Sequence, residues 1–189
     1  MFIRKHIPLS ILNRETHMVF VPWRYVNLWC CNGCGLCCRE FEVVLTFKEW
    51  LNITKIYGVG VTRAGLNKLY ISKRADGSCI FLYPGPNGKW LCGLQHIKPL
   101  ACKLWPFKVL SKPKYGHASE ALFEYLNQKF YIYVDPFCTG IRWGEPSVEL
   151  VYKIIPEFIE ITLGLRQNQF YSTMMVKPAF FSFKLKKWL

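Results

Sequence analysis

The sequence has no apolar run long enough to cross a bilayer. A span needs about 20 consecutive apolar residues. The most apolar stretch, 148–165, is broken by Glu149, Lys153, Pro156, Glu157 and Glu160. A secretory leader is also missing as a pattern. Arg4 and Lys5 would serve as its basic start, but Asn13, Arg14, Glu15 and His17 interrupt the apolar segment that must follow. A cytoplasmic setting with reduced thiols is therefore the expectation. No internal repeat and no low-complexity segment occurs, and no G-x-G-x-x-G loop follows a strand-like run to cradle a nucleotide cofactor. A hydrophobic fraction of 51% excludes a disordered chain. The 189 residues suit one ordinary domain with extensions.

Acidic residues are scarce, and their absence is local. None lies between Lys98 and His117, where Lys103, Lys108, Lys112 and Lys114 also sit, and none follows Glu160. The net charge of +13 is thus concentrated in parts of the chain. Such surfaces attract anions: nucleic acid, an acidic protein or lipid head groups. The tail 177–189 interleaves Lys177, Lys184, Lys186 and Lys187 with Phe180, Phe181, Phe183 and Trp188. Cations at phosphates and rings against bases would make this a segment for RNA or the ribosome. Rings packed back on the protein's own core explain the same composition.

The order of elements predicts a small α+β domain. Residues 1–29 read as a basic aromatic extension, with a strand over 18–21. Residues 30–165 read as a cysteine-rich metal-binding domain, and 166–189 as a basic aromatic tail. A strand is expected at 41–45. Thr46 then caps a helix, with Glu49 completing a capping box and Gly58 ending it. Asn87-Gly88 predicts a hairpin between strands at 79–83 and 90–92, which would place Cys79 and Cys92 side by side. A further strand covers 130–134. Pro146 opens an amphipathic helix whose inward face is Val148, Val151, Tyr152, Ile155, Phe158 and Ile159, with a kink at Pro156.

What is abundant is cysteine, in one place. Five of the nine cysteines fall within nine residues, Cys30-Cys31-Asn32-Gly33-Cys34-Gly35-Leu36-Cys37-Cys38. Buried structural cysteines are normally scattered. Sulfurs repeated every third residue, with glycines to turn the backbone, are what a metal requires. A closed disulfide framework fits an odd number poorly. With Cys30 set aside, Cys31, Cys34, Cys37, Cys38, Cys79, Cys92, Cys102 and Cys138 make eight sulfurs. Zinc takes four thiolates, and so does a [4Fe–4S] cluster, so one or two centres are compatible. Adjacent residues of a helix diverge by about 100°, so Cys37 and Cys38 point toward two centres rather than one. His96 is an alternative donor four residues after Cys92.

Four pieces together resemble the CxxCxxCC cysteine-cluster family. They are Cys31-Asn32-Gly33-Cys34-Gly35-Leu36-Cys37-Cys38-Arg39; Gly77-Ser78-Cys79-Ile80-Phe81-Leu82; Cys92 with Lys98-Pro99-Leu100-Ala101-Cys102-Lys103-Leu104-Trp105-Pro106-Phe107; and Phe137-Cys138-Thr139-Gly140-Ile141-Arg142-Trp143-Gly144. That family is described as zinc- or iron-chelating. The resemblance covers residues 31 to about 145 and nominates all eight cysteines as metal ligands. Lys98 stands where the family usually has arginine, and Thr139 where proline is common. The resemblance implies metal binding and names no reaction. Three readings follow: a metal-binding protein with iron–sulfur or zinc sites, an RNA- or ribosome-associated basic protein with a structural metal, and a protein-modifying enzyme with an auxiliary cluster.

Overall fold

A computed structural model describes residues 20–171 of the chain. The tail 177–189 and most of the N-terminal extension, including the start of the strand expected over 18–21, lie outside the described residues. The elements run in order β1 (Val21–Pro22), β2 (Val26–Trp29), α1 (Leu36–Glu40), β3 (Val44–Leu45), α2 (Phe47–Tyr57), β4 (Thr62–Ala64) and β5 (Leu69–Ile71). Then come β6 (Leu82–Pro84), β7 (Trp90–Cys92), α3 (Leu100–Leu104), β8 (Phe107–Leu110), α4 (Ala118–Ala121), β9 (Leu122–Tyr125), β10 (Gln128–Val134), β11 (Ile141–Trp143) and α5 (Ile155–Thr162). All sheets are antiparallel and small, and the fold is α+β as expected. β10 is the centre of the largest sheet: β9 pairs with its first half, and β8 and β1 with its second half. β11 pairs with β2, β5 lies between β3 and β4, and β6 and β7 form a hairpin.

Two large apolar cores result, with a small third cluster around Phe20, Ala121 and Tyr133. The larger joins β2, β8, β10 and α5 through Trp29, Phe107, Ile132, Val134, Phe158 and Ile159. Trp29 meets Phe107 and Phe158 edge-on at ring centroid distances of 5.7 and 5.4 Å, a geometry that adds about 1 kcal/mol per pair beyond area burial. The second core joins α2, β3, β5 and the 79–94 region through Val43, Leu45, Ile53, Ile71, Phe81, Leu82 and Leu94.

Several elements differ from their expected positions, for identifiable reasons. Residues 20–29 do not hang off the domain. Trp23, on a tight turn before β2, and Val26 and Trp29, on β2 paired with β11, are buried in the larger core, where large rings and a β-branched residue meet an apolar wall. The strand expected at 41–45 is only Val44–Leu45. The strand expected from Cys79 begins at Leu82. Cys79 is bent out of it, since its N–H donates to the Cys38 carbonyl (2.7 Å) and its carbonyl accepts from Leu82 N (3.0 Å). The hairpin partner of Cys92 is therefore Leu82. The turn itself is as read: Asn87 and Gly88 adopt φ of 57° and 69°.

The C-terminal helix begins at Val148, two residues after Pro146, with Ser147 Oγ accepting from Leu150 N (3.2 Å). In place of a simple kink, Leu150–Ile154 is π-helical, and Ile155 N bonds back to the Leu150 carbonyl. Pro156 has no N–H to give and its ring crowds the preceding turn, so the widened turn sits just before it. The extra residue rotates the inward face. Leu150 and Ile154 are buried, while Val148 and Tyr152 are 76% and 75% exposed.

A close backbone approach ties the cysteine stretch to the β10–β11 connection. Cys30 N donates to the Gly140 carbonyl (3.1 Å), and a Cβ on Gly140 would collide with the Cys30 carbonyl oxygen. Gly140→Ala is expected to destabilise by about 3 kcal/mol. Gly60→Ala, at a position with open space around it, should change stability by less than about 1 kcal/mol. Denaturant unfolding of both variants checks this.

Candidate metal centre

The cysteine stretch is held by tight turns. Gly33 and Gly35 adopt φ of 71° and 73°, and α1 starts immediately after Gly35. A Cβ on Gly35 would press on the Trp90 ring at 3.0 Å. Trp90 N donates to the Gly33 carbonyl (2.6 Å), and the Arg39 guanidinium lies 4.1 Å over the Trp90 ring. These contacts seat the stretch on β7, which carries Cys92. Cys79 is tied to the same place through its bond to the Cys38 carbonyl.

Cys102 arrives on α3, a five-residue helix with no side-chain cap of its own. Glu49 supplies one from α2. Its Oε2 accepts from Thr46 N (2.8 Å) to complete the expected capping box, and its Oε1 accepts from Leu100 N (2.6 Å). One carboxylate thus starts both helices. The first role follows from the T-x-x-E pattern. The second pairs residues 51 apart and has no local signal.

Six of the eight nominated cysteines line one cavity of about 230 Å³: Cys31, Cys37, Cys38, Cys79, Cys92 and Cys102. Its other walls include Phe41, Leu82, Leu94, Trp90 and Trp105, with Lys98 and Lys108 as cations. Cys34 is exposed and does not line it. Cys138 is half-buried elsewhere, its Sγ accepting from Trp29 Nε1 (3.2 Å). Cys30 lies with its Sγ toward the Cys31 carbonyl (3.9 Å), outside the cavity. His96 is exposed and also absent from the wall. None of the nine cysteines is in a disulfide. Thr139, at the position where proline is common, accepts from Asn32 Nδ2 (3.1 Å), a link from the cysteine loop to the Cys138 turn that proline has no hydroxyl to make.

The pair Cys37 and Cys38 shares the cavity, with sulfurs 3.9 Å apart. Two sulfurs bound to one tetrahedral ion at about 2.3 Å lie about 3.8 Å from each other. The short helix therefore does not carry them to opposite sides as ideal spacing implies. Among the described residues no group of three or more His, Cys, Asp or Glu is already arranged to hold a metal ion. The donor set nevertheless fits a thiophilic ion, since six cysteines line the cavity and the one carboxylate that the described residues place on its wall, Glu42, is paired with Arg63.

Proton sharing within the pair lowers Cys37 to about 7 and raises Cys38; the Lys98 cation reinforces the first effect and burial the second. Burial is the main reason that Cys79, Cys92 and Cys102 are also raised. Cys138 is pushed up to about 11, chiefly by burial, with the Trp29 N–H opposing. A metal entering here displaces protons that the thiols otherwise keep.

A model of the CxxCxxCC family, described as "Putative zinc- or iron-chelating domain", matches residues 30–139. The chain belongs to this family. The matched span contains all nine cysteines and ends before α5. No curated protein and no solved structure matches the chain. Among the described residues no helix is long and apolar enough to cross a membrane.

A buried carboxylate stands next to the family's last cysteine. Asp135 is fully buried; its Oδ1 accepts from Phe137 N (3.0 Å), and among the described residues its Oδ2 meets no donor. Burial raises its pKa, so its charged form weakens folding. That cost is absent below the ordinary value near 3.8 and grows as pH rises through the raised folded value. Asp135→Asn keeps the acceptor for Phe137 and removes the charge. The variant is expected to match the wild type near pH 4 and to melt higher at pH 7, in paired melting curves over that range.

Proposed function

We propose that the cavity holds one thiolate-bound metal centre, zinc or a [4Fe–4S] cluster, with Cys37, Cys38, Cys92 and Cys102 as ligands. The observation that carries this is the pair of sulfurs 3.9 Å apart on a cavity lined by four more cysteines. Cys92 and Cys102 are preferred because both interact electrostatically with Cys37 and Cys38. Cys79 is buried beside them. Cys31, on the cavity wall, interacts with both Cys92 and Cys138, and exposed Cys34 interacts with Cys138. Cys34 and Cys138 do not line the cavity. The chain's role on this reading is to bind and hold the metal; nothing in the described residues assigns it a reaction.

Structural metal binding is folding energy, so losing a ligand costs stability as well as metal. In anaerobically purified protein, metal and sulfide analysis is expected to find one centre per chain. Cys37→Ser and Cys102→Ser should lose it and lower Tm by roughly 10 °C. Cys34→Ser should keep it. Metal retained in Cys102→Ser would refute the assignment. Stoichiometric sulfide with broad absorbance near 400 nm would identify a cluster, and zinc without sulfide a mononuclear site.

The raised thiols add a pH dependence. Protons must leave as metal enters, so apparent zinc affinity should rise steadily between pH 6 and 8 in chelator competition. A flat profile would show that the bound sulfurs carry no protons in the metal-free protein.

A further inference from the structure

Segment 166–171, which follows α5, lines no part of the cysteine cavity itself but contacts Lys98, which does. Its anchor is Glu157, 1% exposed, whose Oε2 accepts from Phe170 N (2.8 Å) and Tyr171 N (2.6 Å). Arg166 Nε pairs with Glu160 at 2.7 Å. Between these anchors the segment touches the strip that carries Cys102. Lys103 Nζ donates to the Gln167 carbonyl (2.6 Å), Gln169 Nε2 donates to the Lys103 carbonyl (2.6 Å), and Lys98 Nζ donates to Gln169 Oε1 (3.2 Å). The amide of Gln169 therefore spans from the backbone of α3 to the ammonium of Lys98.

Lys98 is half-buried and lines the cavity. A lysine with only a solubilising role extends into water. This one is held at the wall of a thiol-lined cavity, with one of its three N–H groups engaged by Gln169. Four thiolates around a divalent ion, or around a [4Fe–4S] core, leave net negative charge in a partly buried place, and burying it is costly unless a cation stands near. The other cavity-lining lysine, Lys108, is exposed.

We propose that Lys98, positioned by Gln169, is the charge partner of the thiolate centre, which makes segment 166–171 part of the metal site although it lies outside the span matched to the family. The proposal rests on the metal reading above and adds a positioning residue, Gln169, and an electrostatic one, Lys98.

The test is zinc affinity of the full chain by chelator competition at low salt, with melting of the metal-free proteins alongside. Lys98→Met should weaken zinc roughly tenfold and Lys98→Arg should restore it to within about threefold, the range seen when groups around metal ligands are changed. Gln169→Ala, which keeps the charge but releases it, should lose about threefold to fivefold. Metal-free melting should shift by less than about 3 °C in all three, since one exposed or half-exposed polar contact contributes about 1 kcal/mol or less. Added salt should shrink the Lys98→Met loss. Should Lys98→Met fold poorly, Gln169→Ala carries the test. Wild-type affinity in Lys98→Met, together with loss in Cys102→Ser, would overturn the proposal and leave the metal reading standing. Wild-type affinity in Gln169→Ala would overturn the role given to the segment. A wild-type chain that binds no zinc and carries no iron would overturn both.

Discussion

The structure depends on bringing thiols from four separated parts of the chain to the seam between two apolar cores. Main-chain and side-chain hydrogen bonds do this. Trp90 N to Gly33 O seats the cysteine loop on the hairpin, Cys79 N to Cys38 O joins the second piece, and Glu49 to Leu100 N holds the third. Cys30 N to Gly140 O ties in the last. Each is a modest interaction, about 1 kcal/mol net. Their value is geometric. They fix the chain so that a metal has only side chains left to order, and the entropy of closing loops of 41 to 110 residues is spent during folding of the cores. The cores thus act as the frame and the cysteines as the last components placed in it.

The seam also explains why the thiols separate as they do. Cys38, Cys92 and Cys102 pack against the smaller core, whereas Cys31 and Cys138 pack against the larger one. Cys79 is itself a member of the smaller core, which agrees with its main-chain bond to Cys38. The even-looking ladder Cys31, Cys34, Cys37 is therefore not one structural unit. The two glycines turn the chain between its rungs, so Cys31 and Cys37 reach the cavity while Cys34 remains exposed.

The cysteine ladder, the capping box at Thr46 and the Asn87-Gly88 turn were legible because each is local: residue type and spacing within a few positions determine the geometry. The core helix was legible in extent but not in phase, since the π turn before Pro156 inserts a residue that periodicity does not register. Trp23, Val26 and Trp29 were read as part of an extension because their partners lie more than 75 residues away. The same limit hid the second role of Glu49 and the bond from Trp29 to Cys138. Cys37 and Cys38 illustrate the opposite failure. A spacing rule for ideal helices was applied to a five-residue helix at a tight turn, where both sulfurs remain on one side.

The basic strip from Lys98 to His117 takes on a different meaning from this arrangement. From composition alone it calls for an external anion, such as RNA or an acidic protein. On the proposed metal reading, the nearest anion is the protein's own: a thiolate centre with net negative charge, lined by two lysines of that strip. Acidic residues placed here would raise the cost of burying the same charge. The lack of acids between Lys98 and His117 is then a requirement of the site before it is an invitation to a partner. Lys98 meets that requirement with the help of Gln169, an uncharged side chain that holds the cation without neutralising it. A glutamate at position 169 would cancel the charge of Lys98 and would have no N–H for the Lys103 carbonyl, so only an amide serves both contacts.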